Sequence, residues 1–187
     1  MNVAIFGGRF DPIHNGHLTV AKEILKSGKA DEVWMSIENQ HQWRPIVASA
    51  ECRIEMMHLA IQSECNIKID TTPIELGGLT ETITVMREIR SKSPENTYFF
   101  VCGSDQPFSK WTHWEELEKE VTFLIVPRKG SSLDIIPTNC IILDDLTYEP
   151  VDDSATRIRN LLQEGKPITG LVPSAVEKYI LEKGLYK

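Results

Sequence analysis

Short apolar runs that alternate with stretches of helical spacing limit this chain to few folds. Asn2 to Phe6, Glu32 to Ile37, Ile67 to Ile69, Tyr98 to Cys102, Val121 to Val126 and Cys140 to Leu143 read as strands. Nearly continuous apolar runs of this length fit strands buried on both faces, as in a parallel sheet. Between them, Leu18, Ala21, Ile24 and Leu25 recur at helical spacing, with Gly28 where a C-cap belongs. Ser49 is placed to cap a helix with Ile54, Met57 and Ile61 on its apolar face, and Val85, Met86 and Ile89 mark another. Two helices close the chain, one after Ser154 and one with Pro173 at its first position. The pattern predicts an α/β fold, a doubly wound, Rossmann-like parallel sheet with helices on both faces. At roughly 150 residues per domain, the 187 residues make a single domain over 1–187.

In such sheets ligands lie beyond the carboxyl ends of the strands. Gly7 to His17, Gly103 to Trp114 and the turn before Ser154 are therefore the segments to inspect. A formal charge of −7, from 20 basic and 27 acidic side chains, argues against a binder of nucleic-acid polymers. Any anionic ligand needs a local cluster of donors. No apolar run reaches the length of a membrane span, and the start lacks a signal-peptide pattern. Cys52, Cys65, Cys102 and Cys140 form no C-x-x-C pair, which suits a reducing cytoplasm.

The first loop reads Gly7-Gly8-Arg9-Phe10-Asp11-Pro12-Ile13-His14-Asn15-Gly16-His17. An apolar strand stopping at two glycines suggests a turn with unusual backbone angles, where N–H groups can approach a phosphate. The two histidines fall one turn apart at a helix start, where the macrodipole favours an anion. Three chemistries fit the pair: a zinc site, acid–base catalysis, or two donors to a polyphosphate. Zinc fits least, for want of a third ligand nearby, and both the P-loop and G-x-G-x-x-G patterns are missing.

His14-Asn15-Gly16-His17 resembles the H-x-G-H mark of the nucleotidylyltransferase superfamily. Ser154-Ala155-Thr156-Arg157-Ile158-Arg159 is similar to its second mark, a hydroxyl-rich turn before a helix with isoleucine and arginine. Gly103-Ser104-Asp105, Lys110-Trp111, Trp114 and the stretch from Leu171 to Tyr186 resemble the nicotinate mononucleotide adenylyltransferases, as do Arg53 and Met57. Arg9 stands where that family has Thr or Ser, and Asn39 to Pro45, with His41, Trp43 and Arg44, replaces a proline-rich stretch ending in His-Lys. Glu81 to Thr84 follows the family pattern loosely, and Asp153 and Ala155 depart from it.

The resemblance implies that ATP and a pyridine mononucleotide, nicotinate or its nicotinamide form, join to make a dinucleotide with release of pyrophosphate, in NAD biosynthesis. Phosphopantetheine adenylyltransferase or cytidylyltransferase activity is the alternative enzyme reading, and a non-catalytic nucleotide sensor the alternative from another class. The implied ATP side is Gly7, Gly8, Phe10, His14, His17, Gly103, Asp105, Ser154, Thr156 and Arg159, with His14, His17 and Arg159 catalytic. The implied mononucleotide side is Arg9, Thr82, Asp105 and Trp111, with Trp111 stacked on the pyridine ring. Mg²⁺ is expected to be held mainly by substrate phosphates. Whether copies assemble into a homo-oligomer is left open. Outside the site, Met56 and Met57 read as core. Arg128 reads equally as a phosphate contact or a solvated strand end, and Asp144-Asp145 and Asp152-Asp153 read as solvated loop charges.

Overall fold

The apolar runs form a parallel sheet in the order β3-β2-β1-β4-β5-β6. Its strands are β1 (Asn2–Gly8), β2 (Glu32–Ile37), β3 (Ile67–Asp70), β4 (Thr97–Gly103), β5 (Thr122–Val126) and β6 (Cys140–Ile142). The helices are α1 (Asn15–Lys26), α2 (Ala50–Ile61), α3 (Thr72–Leu76), α4 (Thr82–Lys92), α5 (Trp114–Glu120), α6 (Ala155–Gln163) and α7 (Ser174–Lys183). This computed structural model describes residues 1–42, 45–127, 134–143 and 154–187. Trp43, Arg44, Arg128, Asp144, Asp145, Asp152 and Asp153 lie outside the described residues.

Alternation along each strand sends side chains to two separate cores. Ala4 points to one face, where Ala21 and Ile24 of α1, Met56 and Met57 of α2, Ile158 of α6 and Val176 of α7 bury themselves. Val3 and Ile5 point to the other, against Ile83, Met86 and Ile89 of α4 and Leu117 of α5. Burial of such side chains is worth roughly 1.5–3 kcal/mol each, so both helical layers are held to the sheet by apolar contact. The sheet is doubly wound, as its sequence pattern predicts.

Three local expectations need correction. The buried face of α2 is Arg53, Met56 and Met57, with Ile54 and Ile61 only half-buried. Pro173 stands at the N-cap of α7, one residue before the helix, because its extended backbone (ψ 144°) is not helical. Ser27 caps α1, and Gly28 follows it in left-handed backbone at φ +68°. The short helix α3 has no counterpart in the sequence reading, since five residues carry no periodicity.

Candidate active site

The two central strands part at their carboxyl ends. Pairing between β1 and β4 ends at Phe6 and Val101, while β1 stays paired with β2 as far as Gly8 and Ile37. On the other flank, β4 stays paired with β5 to Gly103 and Val126. The chain winds outward in opposite senses from these two strands, so the crevice between them is the switch point where such sheets bind ligands.

Gly7 and Gly8 continue β1 and are not among the residues with positive φ, contrary to the expected unusual turn. Their role is to leave room. A Cβ on Gly7 would come within 3.1 Å of the Phe100 ring, and one on Gly8 within 3.0 Å of the Phe10 ring. The left-handed residue is Phe10 itself, at φ +47° and 1% exposed. Its ring fills the space over Gly8 and meets His17 edge-on at 5.0 Å.

His14 is the N-cap of α1 and His17 lies in its first turn. Their rings stack, with centroids 3.6 Å apart and planes inclined by 28°. The backbone N–H of His14 donates to Nδ1 of His17 at 3.3 Å. With Nδ1 accepting, a neutral His17 carries its proton on Nε2, which makes that edge a hydrogen-bond donor. The start of α1 is anchored from behind, because Asn15 donates through Nδ2 to Gly170 O at 2.7 Å and through its backbone N–H to Leu171 O at 2.9 Å.

Arg159, distant in sequence, reaches the same loop. From α6 its Nη1 donates to the Asp11 carbonyl at 2.6 Å and its Nη2 to Thr156 Oγ1 at 3.3 Å. The second sequence mark therefore touches the loop that leads into the first, through residues 148 positions apart along the chain. Ser154 uses its hydroxyl oxygen to cap α6, accepting from Arg157 N–H at 3.1 Å, and both Ser154 and Thr156 are exposed.

Two residues that the sequence reading left out of the site lock this loop. Asp11 is 1% exposed, and its carboxylate accepts from Val47 N–H at 2.7 Å and Ala48 N–H at 3.0 Å. Arg53 is equally buried and spreads its guanidinium over three carbonyls, those of Glu38 at 2.7 Å, Arg9 at 2.8 Å and Ala48 at 3.3 Å. Burial pulls the Arg53 pKa down, opposed by the negative charge of Asp11 and Glu38. Arg9 in turn donates from Nη1 to Pro45 O at 3.1 Å. Asn39, Gln40, His41 and Pro45, from the stretch that departs from the family pattern, line a cleft of about 400 Å³ together with Arg53.

Across the crevice, Gly103 ends β4 and Asp105 stands exposed in the turn that follows. Trp111 is half-buried, edge-on to Phe100, Phe108, Trp114 and Phe123 at centroid distances of 5.1 to 6.5 Å. Packing against these four rings holds the indole in place. Thr82 opens α4, and its neighbour Glu81 meets His113 Nε2 at 3.4 Å, which draws the start of α4 to the turn carrying Trp111. Among the described residues no group of three His, Cys, Asp or Glu is arranged to hold a metal ion.

Glu38 follows β2, donating its N–H to Gly8 O at 2.9 Å, and also escaped the sequence reading. Its Oε2 is buried without a hydrogen-bond partner among the described residues. Desolvation pushes its pKa up to about 7, against the pull of Arg9 and Arg53. The folded state then holds this proton more tightly than the unfolded chain does. Glu38's contribution is full below pH 4.5 and is lost as pH rises from there to about 7. Glu38→Gln should remove that loss and stabilise the protein by about 3 kcal/mol at pH 8, with little change at pH 4. Denaturant melts at the two pH values check this; an equal shift at both would refute it.

Comparison with known proteins places the chain in a family. Residues 5–161 match the model of the Cytidylyltransferase-like family, and the chain belongs to that family of nucleotidyltransferases. Among curated proteins it is similar to the nicotinate-nucleotide adenylyltransferase of Bacillus subtilis, 34% identical over 99% of this chain and 98% of that one. A Halalkalibacterium halodurans protein named "probable nicotinate-nucleotide adenylyltransferase" is 37% identical over 99% of this chain and 91% of its own length. Within the wider family, the chain is a member of the nicotinate-nucleotide adenylyltransferases. The fold also matches that of Plasmodium falciparum nicotinic acid mononucleotide adenylyltransferase complexed with NaAD, at a TM-score of 0.80 and 21% identity over 99% and 97% of the two chains.

Proposed function

We propose that this chain, acting as one nucleotidyltransferase domain, joins the AMP part of ATP to nicotinate mononucleotide and releases pyrophosphate. The observation that carries the reading is the stacked His14–His17 pair at the mouth of the crevice, with the Arg159 guanidinium held against the same loop. The curated relatives support nicotinate as the acceptor's ring.

In this reading a phosphate oxygen of the mononucleotide attacks the α-phosphorus of ATP in line. The new P–O bond forms as the bond to pyrophosphate breaks, and the leaving group takes the electron pair. The attacking oxygen is already anionic, so no protein base and no covalent intermediate is needed. Catalysis is positioning plus stabilisation of charge on the phosphate oxygens. His17 donates from Nε2, and His14 lies beside it. Ser154, Thr156 and Arg159 hold the outer phosphates, Arg159 as a planar fork suited to paired oxygens. Gly7 and Gly8 keep the floor of the crevice open, with Phe10 backing His17. Arg9 meets the mononucleotide phosphate, while Thr82 and Trp111 face its ring and Asp105 the ribose. Mg²⁺ suits oxygen ligands and would be held mainly by the substrate phosphates, with the exposed Asp105 carboxylate as the protein group of matching chemistry; it would neutralise charge on the phosphate oxygens. The four cysteines are free thiols, which supports a cytoplasmic site of action.

With ATP and Mg²⁺, nicotinate mononucleotide should give the dinucleotide with kcat/KM at least a hundredfold above that for the nicotinamide form, because a site built for one polar group rejects its substitute. Dinucleotide formation and pyrophosphate release measure this. A preference for the amide would reverse the acceptor assignment, and no product from either would overturn the reading.

A further inference from the structure

The end of the chain folds back onto the first loop. Gly184, left-handed at φ +63°, terminates α7 and turns the last residues inward. Tyr186 is 5% exposed and sits in left-handed backbone at φ +64°. A bulky residue is strained in this conformation and keeps it only where its contacts require it. Its surroundings therefore over-determine it. The hydroxyl donates to Asp11 Oδ1 at 2.8 Å, and burial and the Asp11 charge raise the tyrosine pKa well above its usual range, so it remains a donor at working pH.

Through Asp11 this contact reaches one side of the crevice. The same carboxylate accepts the Val47 and Ala48 amides. Two residues before Val47, the Pro45 carbonyl accepts from Arg9. The groups assigned to ATP are held differently, Arg159 by the main-chain carbonyl of Asp11 and by Thr156, and the start of α1 by Gly170 and Leu171. We propose that Tyr186 is a positioning residue for the mononucleotide side: its hydroxyl, through the Asp11 carboxylate, sets the 45–48 segment that holds Arg9. This rests on the adenylyl-transfer reading and on the place of Arg9 in it.

Tyr186→Phe keeps the ring and removes the hydroxyl. KM for nicotinate mononucleotide should rise about tenfold, the worth of one hydrogen bond, with KM for ATP and kcat within twofold. Amide hydrogen exchange at Val47 and Ala48 should speed up by a similar factor, a readout independent of turnover. Val47→Pro, at an exposed position, removes one donor to Asp11 and should shift the same KM in the same direction, which decides the matter if the phenylalanine variant does not fold. Unchanged KM for the mononucleotide, or equal rises for both substrates, would overturn the proposal. Wild-type protein that forms no dinucleotide would sink the functional reading and the acceptor-side role with it, while hydrogen exchange would still report whether the Tyr186 hydroxyl orders residues 47–48.

Discussion

His17→Ala should lower kcat by about 10² to 10³-fold, the loss seen when one preorganised donor to a developing charge is removed. The reason lies in which edge of the ring donates. Nδ1 accepts from the His14 backbone N–H, so a neutral His17 carries its proton on Nε2, the edge that donates to a phosphate oxygen. The cost to the fold is smaller. One hydrogen bond, the stack on His14 and an edge-on contact with Phe10 are lost, together about 2 kcal/mol. At 2 to 4 °C per kcal/mol for a chain of this size, the melting temperature should fall by about 4 to 8 °C. His17→Asn separates the two roles, since its side-chain oxygen can still accept the His14 amide while the Nε2 donor is gone. It should keep most of the stability and recover little of the rate. A folded alanine variant turning over within threefold of wild type would remove His17 from catalysis.

How the sequence foretells this site, and where it falls silent, follows from how far each signal travels along the chain. The strands are legible because a strand buried on both faces is apolar at nearly every position, as in Val3 to Phe6 and Phe123 to Val126. His14 and His17 are legible because a helix start brings them together by local geometry alone. Gly7 and Gly8 attract notice for the wrong reason. A pair of glycines suggests a special turn, but they answer to rings of Phe100 and Phe10, and the first of these lies 93 residues away from Gly7. No local rule places the left-handed backbone on Phe10, a bulky residue that ordinarily avoids it.

Asp11 and Arg53 are harder to see. An aspartate before proline reads as a turn former, and an arginine in a helix reads as a solvated side chain. Arg53 even interrupts the expected face of α2, taking a buried place where the sequence suggests Ile54 and Ile61. What makes each necessary is a set of backbone groups supplied by other segments. Asp11 serves amides 36 and 37 residues on, and Arg53 serves carbonyls 44, 15 and 5 residues back. Trp111 shows the opposite limit. Its identity suggests a ring platform, yet the cluster of Phe100, Phe108, Trp114 and Phe123 around it also satisfies a packing role.

Arg53→Met should be the most destabilising single change among those considered, at about 3 to 5 kcal/mol. Methionine matches much of the volume and suits an irregular core gap, so the loss is one of polar partners more than of space. The carbonyls of Arg9, Glu38 and Ala48 would lose a charged donor inside the protein. The negative charge of Asp11 and Glu38 would lose the buried cation that opposes it. A loss of this size is a large share of the 5 to 15 kcal/mol that holds a typical domain, and should lower the melting temperature by about 6 to 20 °C. Arg53→Lys keeps the charge but cannot span three carbonyls as a planar fork does, so it should fall between wild type and Arg53→Met. Because Arg53 holds the Arg9 carbonyl, the surviving folded fraction should also show raised KM for the mononucleotide. Thermal melts with and without substrates, read beside steady-state kinetics, test both effects. An Arg53→Met protein melting within 2 °C of wild type would mean that the three carbonyls find other donors, and that the contacts of Asp11 and Arg159 suffice to hold the first loop.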